Sequence, residues 1–219
     1  MISREKLAAM LDHTLLAPGA DRAAVKKHCA EALSYKMGHV CINPHNIVIA
    51  VELLAGSGVG ICSVVGFPLG ATLSEIKAAE ARKVVELGAH EVDMVLNIGA
   101  LKSGEDNLVQ EDIADVVKAA GVTVKVIIET CLLTDEEKRR ACGLAMDAGA
   151  HFVKTSTGLS TGGATVEDVR LMRSVVKEKL GVKASGGIRS FDTAKAMIDA
   201  GATRIGTSAG PAILDGWRL

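Results

Sequence analysis

Short apolar runs recur along the chain and alternate with longer stretches in which apolar residues return every three or four positions. Seven runs rich in valine and isoleucine fit buried strands: HVCIN (39–43), GICSVVG (60–66), EVDMVLN (91–97), VTVKVIIE (122–129), HFVKTS (151–156), GVKAS (181–185) and TRIGTS (203–208). The segment DHTLL (12–16), between an N-terminal helix and a helix over about 21–36, provides an eighth. Strands that are apolar on both faces and alternate with amphipathic helices are typical of a parallel sheet covered by helices.

The ends of the helical stretches carry recognisable signals. Five stretches end in a glycine that can adopt the left-handed conformation, namely Gly88, Gly121, Gly149, Gly181 and Gly201. Ser74, Thr134 and Ser190 stand where N-caps belong, and Thr134 with Glu137 fits a capping box. Eight strand–helix units in 219 residues predict a TIM (β/α)8 barrel with an extra N-terminal helix, in one domain over residues 1–219. An open doubly wound sheet is the alternative, but no GxGxxG follows the first strand.

The composition of the chain excludes some classes of binding partner. The net charge is −1 and only 2% of the residues are aromatic, so we expect no nucleic-acid partner. No apolar stretch approaches the ~18 residues of a membrane span, and the first residues contain no secretory apolar segment. The five cysteines form no CxxC pair, which indicates reduced thiols. These features predict a cytoplasmic protein without a membrane partner.

Four charged residues interrupt the apolar strands: Asp93, Lys125, Lys154 and Lys183. Lys154 and Lys183 lie on the sixth and seventh strands, which are ~4.8 Å apart if the barrel order is sequential. Burial and mutual repulsion would both favour the free amine that a Schiff base requires, and Asp93 could carry protons. Two structural alternatives stay open: Lys125 as an edge or snorkelling residue, and a purely structural ion-pair network for the other three.

Three glycine-rich loops follow the last strands: TGLSTGG (157–163), SGGIRS (185–190) and GTSAG (206–210). Glycine permits close backbone approach, and the loops after strands 7 and 8 are the usual phosphate site of a TIM barrel. The alternative is that these glycines only form turns. The six histidines show neither HxH nor HExxH spacing, so we predict no metal and no cofactor.

Several strings together resemble the deoxyribose-phosphate aldolases, a family of class I aldolases. They are DHTLLAP, VCINP, SVVGFPLG, EVDMVLNIGALKSG, KVIIETCLL, FVKTSTG, KASGGIR and RIGTSAG, and they extend from about residue 12 to 210. The resemblance implies a metal-free TIM barrel that cleaves 2-deoxy-D-ribose 5-phosphate to D-glyceraldehyde 3-phosphate and acetaldehyde. Its partners would be this sugar phosphate and small aldehydes, and a homo-oligomer (dimer or tetramer) stays open.

The resemblance also assigns roles to individual residues. Lys154 matches the Schiff-base lysine, Lys183 the second lysine that lowers its pKa, and Asp93 the proton-relay carboxylate. The matched phosphate-binding positions are Gly158, Gly186, Gly187 and Ser208; Asp12, Thr14 and Cys41 match positions that line the pocket, and Lys125 matches a lysine that borders it.

Two positions depart from the family pattern. Ala209 stands where some members have a second serine, although its backbone N–H would remain for the phosphate. Some members end in a tail with a tyrosine that reaches the active site, whereas this sequence stops at Leu219 and its tyrosine is Tyr35. We therefore expect no help from a tail tyrosine in proton transfer.

Two other classes of function stay open on the residues alone. One is a metal-dependent aldolase or sugar-phosphate epimerase in which Lys154 only binds phosphate. The other is a non-catalytic sugar-phosphate binding protein, against which the two strand lysines argue.

Overall fold

Eight parallel strands close into a barrel in the computed structural model, which describes residues 2–218. The strands are β1 (Leu11–Leu15), β2 (His39–Ile42), β3 (Gly60–Val65), β4 (Glu91–Val95), β5 (Thr123–Ile127), β6 (Phe152–Lys154), β7 (Gly181–Ser185) and β8 (Arg204–Thr207). Each strand pairs with the next along the chain, and β8 pairs with β1. The predicted TIM barrel is confirmed, including a helix that precedes β1.

Ten α-helices and two short 3₁₀ turns connect the strands in the described part of the chain. The helices are α1 (Arg4–Ala9), α2 (Arg22–Ser34), α3 (Ile47–Leu54), α4 (Ser74–Glu86), α5 (Ile98–Lys102), α6 (Asp106–Ala120), α7 (Asp135–Asp147), α8 (Val166–Val176), α9 (Phe191–Asp199) and α10 (Gly210–Asp215); the 3₁₀ turns are Pro44–Asn46 and Thr130–Leu132. None of these helices is both long enough and apolar enough to cross a membrane.

The predicted helix ends are mostly confirmed. Thr134 and Glu137 form the expected capping box, and Ser190 caps α9. Ser74 is instead the first residue of α4, which leaves Leu73 at the N-cap position without a side-chain cap. Gly181 does not end a helix: it opens β7, where a Cβ atom would lie 2.1 Å from the ring of Phe152. This glycine is therefore required by the packing inside the barrel.

The two faces of each strand carry different chemistry. Val92 and Met94 of β4 belong to the main apolar core between the sheet and the helices. Asp93 lies between them in sequence and therefore projects from the opposite face, into the barrel. A small apolar cluster shares that interior; it consists of Leu16, Cys41, Cys62, Val64 and Phe67. Val95 and Ile127, two positions after Asp93 and Lys125, are fully buried and face the same space. The interior of this barrel therefore combines a charged cluster with apolar residues, although its strands look continuously apolar in sequence.

Strand register brings the charged side chains together. Lys154 pairs with Lys183 across β6 and β7, and Asp93 pairs with Lys125 across β4 and β5. Residues at paired positions of adjacent strands project from the same face of the sheet. The register therefore directs all four side chains to the inside of the barrel.

Candidate active site

Lys154 is the last residue of β6 and lies at the floor of a cavity at the C-terminal ends of the strands. Its side chain is 2% exposed, and the cavity has a volume of about 290 Å³. Six of the residues predicted from the sequence line this cavity: Thr14, Lys154, Gly158, Gly186, Gly187 and Ser208. The C-terminal end of the strands is where TIM barrels carry their active sites.

Asp93 lies below Lys154 and joins three lysines. Its Oδ2 accepts hydrogen bonds from Lys154 Nζ and Lys183 Nζ, both at 2.7 Å. Its Oδ1 accepts from Lys125 Nζ at 3.0 Å. The Nζ atoms of Lys154 and Lys183 are therefore at most about 5.4 Å apart, twice the 2.7 Å distance to their shared oxygen.

The electrostatics of this cluster differ from one expectation. Burial by itself would lower the pKa of Lys183, but the carboxylates of Asp12 and Asp93 outweigh it and raise the pKa well above the usual value. Burial would likewise raise the pKa of Asp93, but Lys125, Lys154 and Lys183 hold it well below its usual range. The expectation that burial and repulsion would depress both lysines is therefore wrong for Lys183, because two carboxylates bind it. Lys183 stays an ammonium ion next to Lys154.

Three residues expected to line or border the pocket lie beneath it. Asp12, Cys41 and Lys125 are fully buried, and none of them lines the cavity. Asp12 accepts a 2.5 Å hydrogen bond from Lys183, and Lys125 binds Asp93. Their position is corrected for a physical reason: each lies one to three residues before the end of its strand, below the level of the cavity. Lys125 is also no edge or snorkelling residue.

The glycine-rich loops form the upper wall of the cavity. Gly158, Gly186 and Gly187 have φ values of 84°, 90° and 80°, a region that favours glycine. A Cβ atom on Gly186 would lie 2.8 Å from Gly163 Cα, so two of the loops approach closely here. Consecutive N–H groups in such turns can bind an anion, and the exposed side chain of Arg189 lines the same wall.

The two departures from the family pattern can be located only in part. The N–H of Ala209 is present at the loop after β8, where it donates to Thr207 Oγ1 at 2.9 Å. Its use by a phosphate stays a prediction. The prediction about the tail rests on Leu219, which lies outside the described residues.

Sequence reasoning missed several polar residues at the site. Glu129 is 2% exposed and has a left-handed φ of 56°; its carboxylate accepts from the backbone N–H of Thr157 at 3.2 Å and from Thr157 Oγ1 at 2.5 Å. It thus anchors the loop that carries Gly158. Ser185 lines the cavity, and its hydroxyl has no partner among the described residues. Glu129 could have been found from the sequence, because it directly follows the apolar residues 126–128 at the end of a predicted strand.

The clusters of metal-ligand type are not arranged as metal centres in the described residues. Three groups bring their ligand atoms within 4.8 Å: Cys41, Cys62 and Asp93; Asp12, His39 and Glu91; His13, His28 and Glu31. In the first two, the carboxylates already accept from lysine or arginine, which supplies the charge a metal would bring. In the third, the imidazole rings stack 3.8 Å apart at 14°, so their in-plane lone pairs do not converge on one point.

Comparisons with known proteins agree with this geometry. The family model described as DeoC/LacD family aldolase matches residues 6–216. The chain is 59% identical to a deoxyribose-phosphate aldolase of Exiguobacterium sibiricum, with 96% of each chain covered. It is 56% identical to one of Clostridium perfringens, covering 98% of this chain and 97% of the relative. The tetrameric deoxyribose phosphate aldolase of Aeropyrum pernix superposes with a TM-score of 0.91 at 39% identity, covering 97% of this chain and 91% of that one. On these matches, and with three buried lysines around Asp93 beneath the cavity, this chain belongs to the DeoC/LacD family of aldolases.

Proposed function

We propose that this chain is a class I aldolase that reversibly cleaves 2-deoxy-D-ribose 5-phosphate to D-glyceraldehyde 3-phosphate and acetaldehyde. Lys154 is the nucleophile, Lys183 and Asp93 control its charge and the proton transfers, and the glycine loops bind the phosphate. The main support for this proposal is that Lys154 and Lys183 share one oxygen of Asp93, whereas of these two lysines only Lys154 lines the cavity.

The first step is attack by the neutral amine of Lys154 on C1 of the open-chain aldehyde. The carbinolamine that forms loses water and becomes an iminium ion, in which nitrogen carries the positive charge. Lys183 remains an ammonium ion through its pairing with Asp12 and Asp93, so a second cation at Lys154 is disfavoured in the free enzyme.

The second step breaks the C2–C3 bond. A base removes the proton of the C3 hydroxyl, the C3–O bond becomes a carbonyl, and the bonding pair moves towards the iminium nitrogen to give an enamine. Asp93 is fully buried, so it acts through a lysine or a water molecule rather than by direct contact with the hydroxyl. D-glyceraldehyde 3-phosphate leaves, the enamine is protonated at C2, and water releases acetaldehyde and the free amine.

Phosphate binding contributes by positioning. The loops with Gly158, Gly186 and Gly187, together with Ser208 and Arg189, lie across the same cavity from Lys154. Fixing the phosphate end of the substrate holds C1 near the amine, which converts binding energy into orientation at the reacting carbons. Loss of the phosphate contacts should therefore lower turnover as well as affinity.

The proposal includes the setting of the enzyme. Residues 1–219 act as one catalytic domain, and the free cysteines fit a cytoplasmic protein. Self-association as a dimer or tetramer is part of the proposal, in view of the tetrameric relative from Aeropyrum pernix. Light scattering on the purified protein measures the assembly directly.

Borohydride trapping tests the mechanism. Acetaldehyde followed by borohydride should leave an N-ethyl group on the peptide that contains Lys154, and Lys154→Arg should abolish both the adduct and the activity. Lys77→Met is a matched control, because Lys77 is an equally buried lysine paired with Asp112 outside the barrel. An unmodified Lys154 in an active enzyme ends the proposal, and activity lost on treatment with a chelator would favour a metal-dependent aldolase or epimerase instead.

A further inference from the structure

A second layer of charged residues lies below the cluster already described. Arg204, at the start of β8, donates from Nη1 to Asp12 Oδ1 at 2.7 Å. Its two terminal nitrogens also contact Glu91, at the start of β4, at 3.0 and 3.2 Å. Lys125 contacts the same glutamate at 2.5 Å, and His39 Nδ1 accepts from Arg204 at 2.9 Å. The proposed mechanism uses neither Arg204 nor Glu91.

The two layers are joined by shared carboxylates. Asp12 binds Arg204 through Oδ1 and Lys183 through Oδ2, at 2.7 and 2.5 Å. Asp93 in turn binds Lys183 and Lys154 through one oxygen. An unbroken series of ion pairs therefore connects Arg204 to the nucleophile. Buried pairs of this kind are screened little by solvent, so a change of charge at one end is felt at the other.

The charges inside the barrel do not cancel when every group is ionised. The described interior holds four cationic side chains, Lys125, Lys154, Lys183 and Arg204, and three carboxylates, Asp12, Glu91 and Asp93. Burial lowers the pKa of His39 despite the nearby carboxylates, so its imidazole is neutral at neutral pH. The excess of one cation is relieved if one lysine gives up its proton.

The contacts of each lysine with carboxylates indicate which lysine would give up its proton. Lys125 contacts Glu91 and Asp93, and Lys183 contacts Asp12 and Asp93. Lys154 contacts Asp93 alone among the described carboxylates. It is therefore the cation with the fewest carboxylate partners, and it is the one that the proposed function requires as a free amine. Among the described residues, the thiols of Cys41 and Cys62 also face this space. At the mouth lie Arg189 and the carboxylate of Glu129, which is bound to the cavity-lining Thr157.

We propose that Arg204 and Glu91 are positioning residues that fix the excess of one cation in the barrel, and thereby set the pH at which Lys154 becomes a nucleophile. The inference rests on the proposed Schiff-base function of Lys154. It assigns a role in the reaction to residues at the N-terminal ends of the strands, the end of the barrel opposite the substrate cavity.

Charge-altering variants test this assignment through the acid limb of the kcat/KM profile. Arg204→Met removes a cation, so the limb should move to higher pH; Glu91→Gln removes an anion, so it should move to lower pH. Two charges roughly 10 Å apart at an effective dielectric constant near 20 predict a shift on the order of one pH unit in each case. The double variant removes one charge of each sign and should return the limb to the wild-type position. Arg204→Lys keeps the charge and should keep the profile.

The outcomes separate a structural role from an electrostatic one. If Arg204→Met and the double variant lose activity without any movement of the limb, Arg204 and Glu91 only support the fold and the inference is overturned. If Glu91→Gln does not fold, Arg204→Met against Arg204→Lys still decides, because only the first should shift the profile. Failure of the proposed function would be seen separately, as absence of the borohydride adduct on Lys154 of the wild-type enzyme.

Discussion

Replacement of Lys183 by methionine removes the ammonium group that shares an Asp93 oxygen with Lys154, while keeping most of the side-chain volume. The two Nζ atoms are at most about 5.4 Å apart, because each lies 2.7 Å from the same Asp93 oxygen. At an effective dielectric constant near 20, two charges at this separation repel by about 3 kcal/mol, which corresponds to about two pH units. Asp12 and Asp93 would also lose a cationic partner, which acts in the same direction. The acid limb of kcat/KM should move up by about two pH units or more.

The assay is the rate of 2-deoxy-D-ribose 5-phosphate cleavage across the pH range in which the fold is intact. Turnover of Lys183→Met should fall about a hundredfold near pH 7 and recover partly as the pH rises. Lys77→Met loses a buried ammonium of similar environment, paired with Asp112 at 2.6 Å, and should lower stability without moving the limb. A limb that stays in place in Lys183→Met, with activity lost at every pH, would refute the electrostatic reasoning and leave Lys183 a different role.

Three further predictions concern other parts of the molecule. Asp93→Asn should still be trapped by borohydride but should cleave about 10²–10⁴-fold more slowly, since proton transfer is lost; equal loss of trapping and cleavage would contradict this. Gly186→Ala places a side chain at φ 90° and should raise KM for the phosphorylated substrate about tenfold, with little effect on unphosphorylated 2-deoxyribose as the control. Burial lowers the pKa of His28 from 6.5 to about 4, so the unfolded chain binds a proton that the folded chain does not. The free energy of unfolding should thus drop by about 2 kcal/mol between pH 7 and 5, and urea titrations of His28→Gln should show a smaller drop.

The sequence predicted the barrel because its signals are local. Alternation of buried strands with amphipathic helices, and caps such as Thr134 with Glu137, depend on residues close together in the chain. The catalytic candidates Asp93, Lys154 and Lys183 also stood out, because charge is rare in an apolar strand. Each of these inferences needed only the type of residue and its position within one element.

The remainder depended on contacts between distant elements. Lys183 keeps its proton because of Asp12, which is 171 positions away and is brought to it by closure of the barrel. Arg204 and Glu91 stand at the first positions of their strands, where a polar residue is unremarkable in sequence. Gly181 resembled a helix terminator, but the reason for it is the ring of Phe152 on the neighbouring strand. The depth of a side chain within the barrel also depends on the register between strands. For this reason the sequence alone does not show that Cys41 lies below the cavity.

Enclosure of the charged residues has a consequence for the effect of salt. Asp93, Lys125 and Lys183 are fully buried, so dissolved ions cannot come between them. Arg189 is exposed at the mouth, where mobile ions screen charge over about 10 Å or less. Raising the ionic strength should therefore weaken the capture of a phosphorylated substrate while leaving the reactivity of Lys154 unchanged. The barrel wall divides the enzyme into a part that responds to the composition of the solvent and a part that is insulated from it.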